Sequence, residues 1–208
     1  METPRTIGRY EIVREISRGA MGLVYLAHDP RIDRRVAIKT IHALKVLPDD
    51  EAEEIRRRFA REAQAAGRLQ HPAIVTIFDV GEHEGTYFIA MEYIEGETLE
   101  PHTGRNNLLP TATALHLAAQ ACDALDYAHQ HNIIHRDIKP ANLMLVKGNR
   151  LKITDFGLAK NPQSNLTHDG VLIGTPNYMS PEQIMGKPLD GRTDLFSLAA
   201  GLYEMLTG

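Results

Sequence analysis

His135-Arg136-Asp137-Ile138-Lys139-Pro140-Ala141-Asn142 reads as a short loop built around one carboxylate. A histidine that leans towards burial comes first, then an arginine, then Asp137, which can accept a proton. Lys139 lies two residues further on. Asn142, which can bind a metal, lies five residues after Asp137. Thirteen residues beyond Asn142, across a hairpin, stands Asp155-Phe156-Gly157. One base and two metal-binding side chains at this spacing suit phosphoryl transfer, a reaction that depends on positioning and charge neutralisation more than on covalent chemistry.

The chain has 208 residues, enough for a real core but short for two independent domains. Hydrophobic residues at 43% and charged residues at 24% are ordinary for a soluble globular protein. The net charge of −4 gives no reason to expect nucleic acid as a partner. The cluster Arg56-Arg57-Arg58 with Arg61 reads as the solvated face of a Glu-rich helix. Cys122 is the only cysteine, so no intrachain disulfide can form, which fits a reducing compartment. The histidines show no metal-ligand spacing with it, which argues against zinc. Met1 to Tyr10 lacks an apolar signal core, and no apolar run is long enough to span a bilayer. A soluble, cytoplasmic chain is expected.

Outward from the loop, the pattern divides into strands first and helices later. Tyr10–Ile16 alternates and reads as a strand, followed by the glycine-bearing stretch Ile16-Ser17-Arg18-Gly19-Ala20-Met21-Gly22-Leu23-Val24. Glycines there let backbone N–H groups approach phosphates that a side chain would keep away. Arg35–Ile41, rich in β-branched residues, is a second strand and places Lys39 on one face with Ala37. Asp49–Leu69 reads as a helix with Ile55, Phe59, Ala66 and Leu69 inward. Glu62 falls on the same stripe, and a carboxylate on the buried side needs a partner, for which Lys39 is the natural candidate. Glu51, Glu53 and Glu54 read as its solvated first turn, and His71-Pro72 as its stop.

Ile74–Val80 and Thr86–Tyr93 read as two strands joined through Gly81–Gly85, and Glu100–Pro110 as a loop. Thr111–His131 is an amphipathic helix expected to turn Leu115, Ala118, Ala119, Cys122, Leu125 and Ala128 inward, which makes Cys122 a core residue. His129 and His131 read as helix-end residues. Leu143–Val146 and Leu151–Ile153 form a hairpin around Lys147-Gly148-Asn149. Leu158–Ile173 has few periodic apolar residues and reads as a mobile segment, and a last helix lies within Asp190–Gly208.

These stretches, in this order, resemble the eukaryotic-like (Hanks-type) Ser/Thr protein kinases, especially their bacterial branch. The resemblance covers nearly everything from Tyr10 to Gly208. It implies an α+β, two-lobed protein-kinase-like fold. A β-rich N-lobe with one main helix would occupy 1–94, with a hinge at about 92–97, and a mostly α C-lobe lacking its last helices would occupy 95–208. It implies ATP and Mg²⁺ as cofactors. Ile16, Ser17, Gly19, Gly22, Val24 and Ala37 would cover the nucleotide, with Ser17 standing where the family has its first glycine.

By the same resemblance, Lys39 would hold the α- and β-phosphates and pair with Glu62. Met91 would stand behind the adenine, the backbone of Glu92 to Ile94 would bind its edge, and Met144 would lie beneath it. Asp137 would orient the substrate hydroxyl and take its proton. Lys139 would steady the transferred phosphate, and a lysine there goes with Ser/Thr substrates. Asn142 and Asp155 would bind magnesium. Phe156 would pack towards His135 and the Glu62 helix, where Ala66 replaces a usually larger residue. Asp194 would brace the catalytic-loop backbone.

Protein substrates follow from Gly174–Glu182, which resembles the substrate-docking segment, with Ser180 at a common Ala position and Thr175 directed towards Asp137 and Lys139. Ser164, Thr167 and Thr175 are candidate autophosphorylation sites, reached through self-association, with Arg136 as a charge partner for a phosphate. A domain of this family continues for several helices, one of which supplies an arginine to the Glu182 position. The chain therefore reads as a piece of a longer protein, one that could be membrane-anchored. Leu202, Tyr203, Met205 and Leu206 are then expected on an under-covered apolar surface. The alternatives are a nucleotide-binding or scaffold protein without turnover, and a small-molecule phosphotransferase, which would not need Gly174–Glu182.

Overall fold

β1 (Thr6–Ile7), β2 (Tyr10–Gly19), β3 (Gly22–Asp29), β4 (Arg34–Ile41), β5 (Ile77–His83) and β6 (Thr86–Glu92) form one antiparallel sheet, in the order β1-β2-β3-β4-β6-β5. The structure is a computed structural model that describes residues 4–19, 22–41, 61–156 and 176–208. The chain divides into two compact units, Met1–Arg68 with Thr76–Ile94, and Leu69–Val75 with Glu95–Gly208.

The sheet of the first unit sorts its side chains by the period of two that a strand imposes. Leu23, Tyr25 and Ala27 of β3, Val36 and Ile38 of β4, and Phe88 and Ala90 of β6 share one core with Ile7 and Tyr10. Their neighbours Val24, Ala37 and Lys39 point to the opposite face. Register holds that second face in line, because Val24 pairs with Lys39, Lys39 with Ile89, and Ala37 with Met91. The N-terminal edge is tied down by charge. Arg9 donates to Asp79 (2.7 Å) and to Asp29 (3.4 Å), and the Tyr10 hydroxyl donates to the same Asp79 oxygen (3.0 Å). Burial and the Asp79 bond push the Tyr10 phenol far above its usual range.

Several local expectations shift. The strand expected at Ile74–Val80 begins at Ile77 and runs to His83, and its turn is Glu84-Gly85, both at positive φ. Ile74 belongs instead to the second unit, in an isolated parallel bridge to Ile153. Helix α1, described over 61–66, closes at Gly67 rather than continuing to Leu69. The Gly67 N–H bonds Ala63 O (2.8 Å) and the Arg68 N–H bonds Ala65 O (3.1 Å), after which the chain leaves the helix. Ile55, Phe59 and the Arg56–Arg58 cluster lie outside the described residues.

The second unit packs α2 (Thr111–Gln130) against α4 (Arg192–Thr207) and against the three-stranded sheet β7-β8-β9, made of Gly96–Thr98, Leu143–Val146 and Arg150–Ile153. α3 (Pro181–Ile184) is a single capped turn. The loop expected at Glu100–Pro110 opens with a 3-10 turn, Glu100–Thr103.

The buried stripe of α2 is Ala114, Leu117, Ala118, Ala121, Ala124, Leu125 and Ala128. Leu115, Ala119 and Cys122 are exposed, against expectation. Two apolar stripes lie one residue apart on this helix. The one dense in alanine faces inward, because small side chains let neighbouring backbones come close. Met205 also departs from expectation, being buried in α4, whereas Tyr203 and Leu206 are exposed. Among the described residues no helix is long and apolar enough to cross a membrane.

Candidate active site

The loop 135–142 is held from three sides within the second unit. Asp194, in the first turn of α4 and fully buried, accepts the backbone N–H of His135 on Oδ2 and of Arg136 on Oδ1, each at 2.8 Å. This is the bracing role the resemblance implies. The His135 ring accepts the Asp137 N–H on Nδ1 (3.2 Å), so its own proton sits on Nε2 and is donated to the Thr154 carbonyl (2.7 Å). Phe156 stands edge-on to that ring, with centroids 4.6 Å apart. Gln183 of α3 donates to the Arg136 carbonyl (2.8 Å).

Arg136 and Asp155 both adopt positive φ, 68° and 64°. Non-glycine residues hold that conformation only where their surroundings over-determine it. The bonds above supply that determination at Arg136. At Asp155 the Thr154 N–H bonds Asn142 O (3.0 Å), which keeps the start of the Asp155 segment beside the loop.

Three expected residues meet at one point. Lys139 Nζ lies 3.0 Å from Asp137 Oδ2. Asn142 donates its side-chain amide to the same oxygen (3.1 Å) and to the Asp137 carbonyl (2.7 Å). Asp137 is thus a carboxylate with an amide donor and an adjacent cation at one oxygen, an arrangement that suits a positioned base. Asn142 is buried, and its carbonyl oxygen and the Asp155 carboxylate offer hard oxygen donors on two hydrogen-bonded segments. Met144 lies on β8.

Within the first unit, Lys39, Val24, Ala37 and Met91 share a sheet face, as the register shows. Ser17 pairs with Val24, and Gly19 with Gly22, at the β2–β3 end. Ile16 is partly exposed on β2. The Glu92 N–H bonds Thr76 O (2.9 Å), and Thr76 N–H bonds the Glu92 carboxylate (3.3 Å), which fixes the strand end that leads to Ile94. Glu62 stands in α1, partly buried. Gly157, Ser164, Thr167 and Thr175 lie outside the described residues.

Some contacts around the site go beyond the sequence reading. Tyr178 donates its hydroxyl to Glu204 of α4 and accepts the Ser197 hydroxyl on its carbonyl (2.7 Å). Burial, then the Glu204 bond, pushes its phenol far above the usual range. Ser180 and Gln183 form a capping box, a signal that S-x-x-Q at Ser180–Gln183 carried openly. Thr193 donates to Glu182 (2.8 Å), which lowers the Glu182 carboxyl from its ordinary value.

The family model "Protein kinase domain" matches residues 10–208. Serine/threonine-protein kinase PrkC of Bacillus subtilis is 44% identical over 98% of the chain and 31% of its own length. Serine/threonine-protein kinase PknB of Mycolicibacterium smegmatis is 42% identical over 100% of the chain and 34% of its own length. A probable serine/threonine-protein kinase of Streptomyces coelicolor is 44% identical over 100% and 31%. The chain spans about a third of the length of these curated relatives. With a family match running from Tyr10 to the last residue, this chain belongs to the protein kinase family.

Proposed function

We propose that this chain is an ATP- and Mg²⁺-dependent protein Ser/Thr kinase domain, which transfers the γ-phosphate to serine and threonine hydroxyls of proteins, including its own. The observation that carries the reading is the convergence of Lys139 and Asn142 on Asp137 Oδ2. Asp137 orients the substrate hydroxyl and accepts its proton as the oxygen attacks phosphorus in line. Lys139, already beside that carboxylate, offsets charge on the phosphate in transit. The loop does not reorganise for this, since Asp194 and His135 hold its backbone in advance.

Asn142 and Asp155 fit a magnesium site by donor chemistry, because Mg²⁺ takes few protein oxygens and keeps phosphate and water as its other ligands. Bound there, the metal supplies charge neutralisation at the phosphates. On the sheet of the first unit, Lys39 binds phosphate oxygens, paired with Glu62. Ile16, Ser17, Gly19, Gly22, Val24, Ala37 and Met91 bound the nucleotide. With its own N–H given to Thr76, Glu92 contributes to the adenine edge through its carbonyl, and Ile94 contributes its backbone.

Protein substrates dock along the segment that ends at Tyr178–Glu182. Ser164, Thr167 and Thr175 are the self-modification sites, and the chain works in the cytoplasm. The test is phosphate incorporation into a protein with Mg-ATP and its loss in Asp137→Asn. Transfer to a small alcohol but to no protein would overturn the substrate class.

A further inference from the structure

His102 lies in the 3-10 turn Glu100–Thr103 and is buried there, within a segment that is mostly exposed. Its ring meets an oxygen at each nitrogen. Nε2 lies 3.2 Å from Oε1 of Glu97 on β7, and Nδ1 lies 3.1 Å from the carbonyl oxygen of Asn107. A carboxylate and a backbone carbonyl only accept, whereas a neutral imidazole carries one N–H and can donate once. The two bonds therefore form together only on the protonated ring. In the neutral ring one nitrogen turns a lone pair on an acceptor oxygen, an unfavourable contact for a buried group.

The ring is the central tie of its segment. Asn107 donates its side-chain amide to the Pro101 carbonyl (2.9 Å) and its backbone N–H to Gly104 O (2.8 Å), so it folds back on the turn. The His102 N–H bonds Leu99 O (3.0 Å), and the Leu99 N–H bonds both Pro140 O (3.1 Å) and Leu143 O (2.8 Å). The segment thus starts at a residue tied to the end of the candidate active-site loop. We infer that His102 is a proton-operated latch on residues 100–107: protonated, its ring joins β7 to the Asn107 carbonyl, and neutral, it lets one of them go. The latch does not depend on phosphotransfer.

The other ionisable groups on the elements packed here have partners or face solvent. Glu100 and Arg105 of the same segment are exposed, and Arg105 Nε bonds the Gly208 carbonyl (3.4 Å). α4 packs on the turn and brings Glu204, which takes the Tyr178 hydroxyl. The turn Pro140–Asn142 brings no titratable side chain. Glu97 is the one carboxylate bonded to His102 among the described residues. A histidine that gains a partner on protonation stabilises its surroundings at low pH and loses that contribution as pH rises. The segment is therefore held more firmly in mild acid than in mild alkali.

The test is amide hydrogen exchange at His102 and Asn107 in the full chain at about pH 5.5 and about pH 8, corrected for the intrinsic pH dependence of exchange. Protection at both amides is expected to fall by about tenfold or more between the two, the scale of one hydrogen bond to a charged group. His102→Leu keeps the bulk and removes the donors, and its protection is expected to be low at both pH values. Glu97→Gln acts in the opposite sense. Its side-chain amide can donate to the bare ring nitrogen while the other nitrogen donates to Asn107, so the latch stays whole without the added proton. Its protection is expected to change by less than about twofold over the same range.

Equal protection at the two pH values in the unmodified chain would overturn the inference. So would a fall of the same size in His102→Leu or in Glu97→Gln, because the proton would then act at another group. If His102→Leu does not fold, His102→Gln, which offers its donor at any pH, takes its place, and pH-dependent protection in that variant would count against the latch in the same way.

Discussion

Asn142 reaches back to Asp137 and donates its side-chain amide to Oδ2 at 3.1 Å. The amide can face only one way, because the same nitrogen also bonds the Asp137 carbonyl. Its oxygen is thereby turned from Asp137, which suits a metal ligand. One residue thus holds the Asp137 carboxylate and, under the proposed function, presents a donor to the metal. Asn142→Ala is expected to cut phosphotransfer by about tenfold or more. Asn142→Asp sets two carboxylates together and is expected to move the acid limb of the pH–rate profile upward by roughly a unit or more. Steady-state rates across pH check both.

Tyr178 and Glu204 tie the 3-10 turn Pro176–Tyr178 to α4. Tyr178→Phe is expected to destabilise the chain by about 1–2 kcal/mol, at the lower end for a bond to a charged group because the pair is only partly buried. The raised phenol value fixes the sign with pH. The unfolded tyrosine ionises near pH 10 while the folded one keeps its proton. The advantage of Tyr178 over Phe is therefore full below about pH 10 and shrinks above it. Urea unfolding of both proteins at pH 8 and pH 10.5 measures this.

Gly96 opens β7, and a Cβ there would meet the Leu145 carbonyl at 2.3 Å. That neighbour is β8 backbone and cannot step aside cheaply. Gly96→Ala is expected to cost about 1–3 kcal/mol, the range for overpacking. Denaturant titration measures the loss. An unchanged midpoint would mean β7 does not pair with β8 as described.

Asp190 precedes α4 and accepts Arg192 through both side-chain and backbone N–H groups, at 2.7 to 3.1 Å. Those bonds hold its carboxyl down to about 2. A lowered carboxyl stabilises the fold above its unfolded value and loses that contribution as pH falls through the folded one. Asp190→Asn is therefore expected to show a constant stability deficit above about pH 5 that fades towards pH 2. Thermal unfolding across that range follows it.

The meeting of Lys139 and Asn142 at Asp137 is foreshadowed in the sequence because these residues are crowded into one short stretch whose chemistry is carried by type and spacing. His135, Asp137, Lys139, Asn142 and Asp155 were named from the chain alone, and the bracing of the loop by Asp194 came with the family resemblance. What stayed hidden depends on partners far apart in sequence. His129 looked like a helix end because Asp194 lies 65 residues away. Tyr178 and Glu204 carry no local mark of their bond.

The face of α2 was misjudged for a related reason. Leu115 and Cys122 are more apolar than Ala114 and Ala121, and hydrophobicity alone favoured the wrong stripe. Close packing with α4 favoured the smaller side chains instead. β7 is three residues long and contains glycine, so its pairing with β8 gave no periodic signal.

The most direct measurement is intact mass of the chain after incubation with Mg-ATP, beside Asp137→Asn. Phosphate gain in the unmodified chain that slows by about 10²–10⁴-fold in the variant is the expected result. Equal rates in the two proteins, or no transfer by the unmodified chain to itself or to an added protein, would contradict Asp137 as the base of a protein kinase.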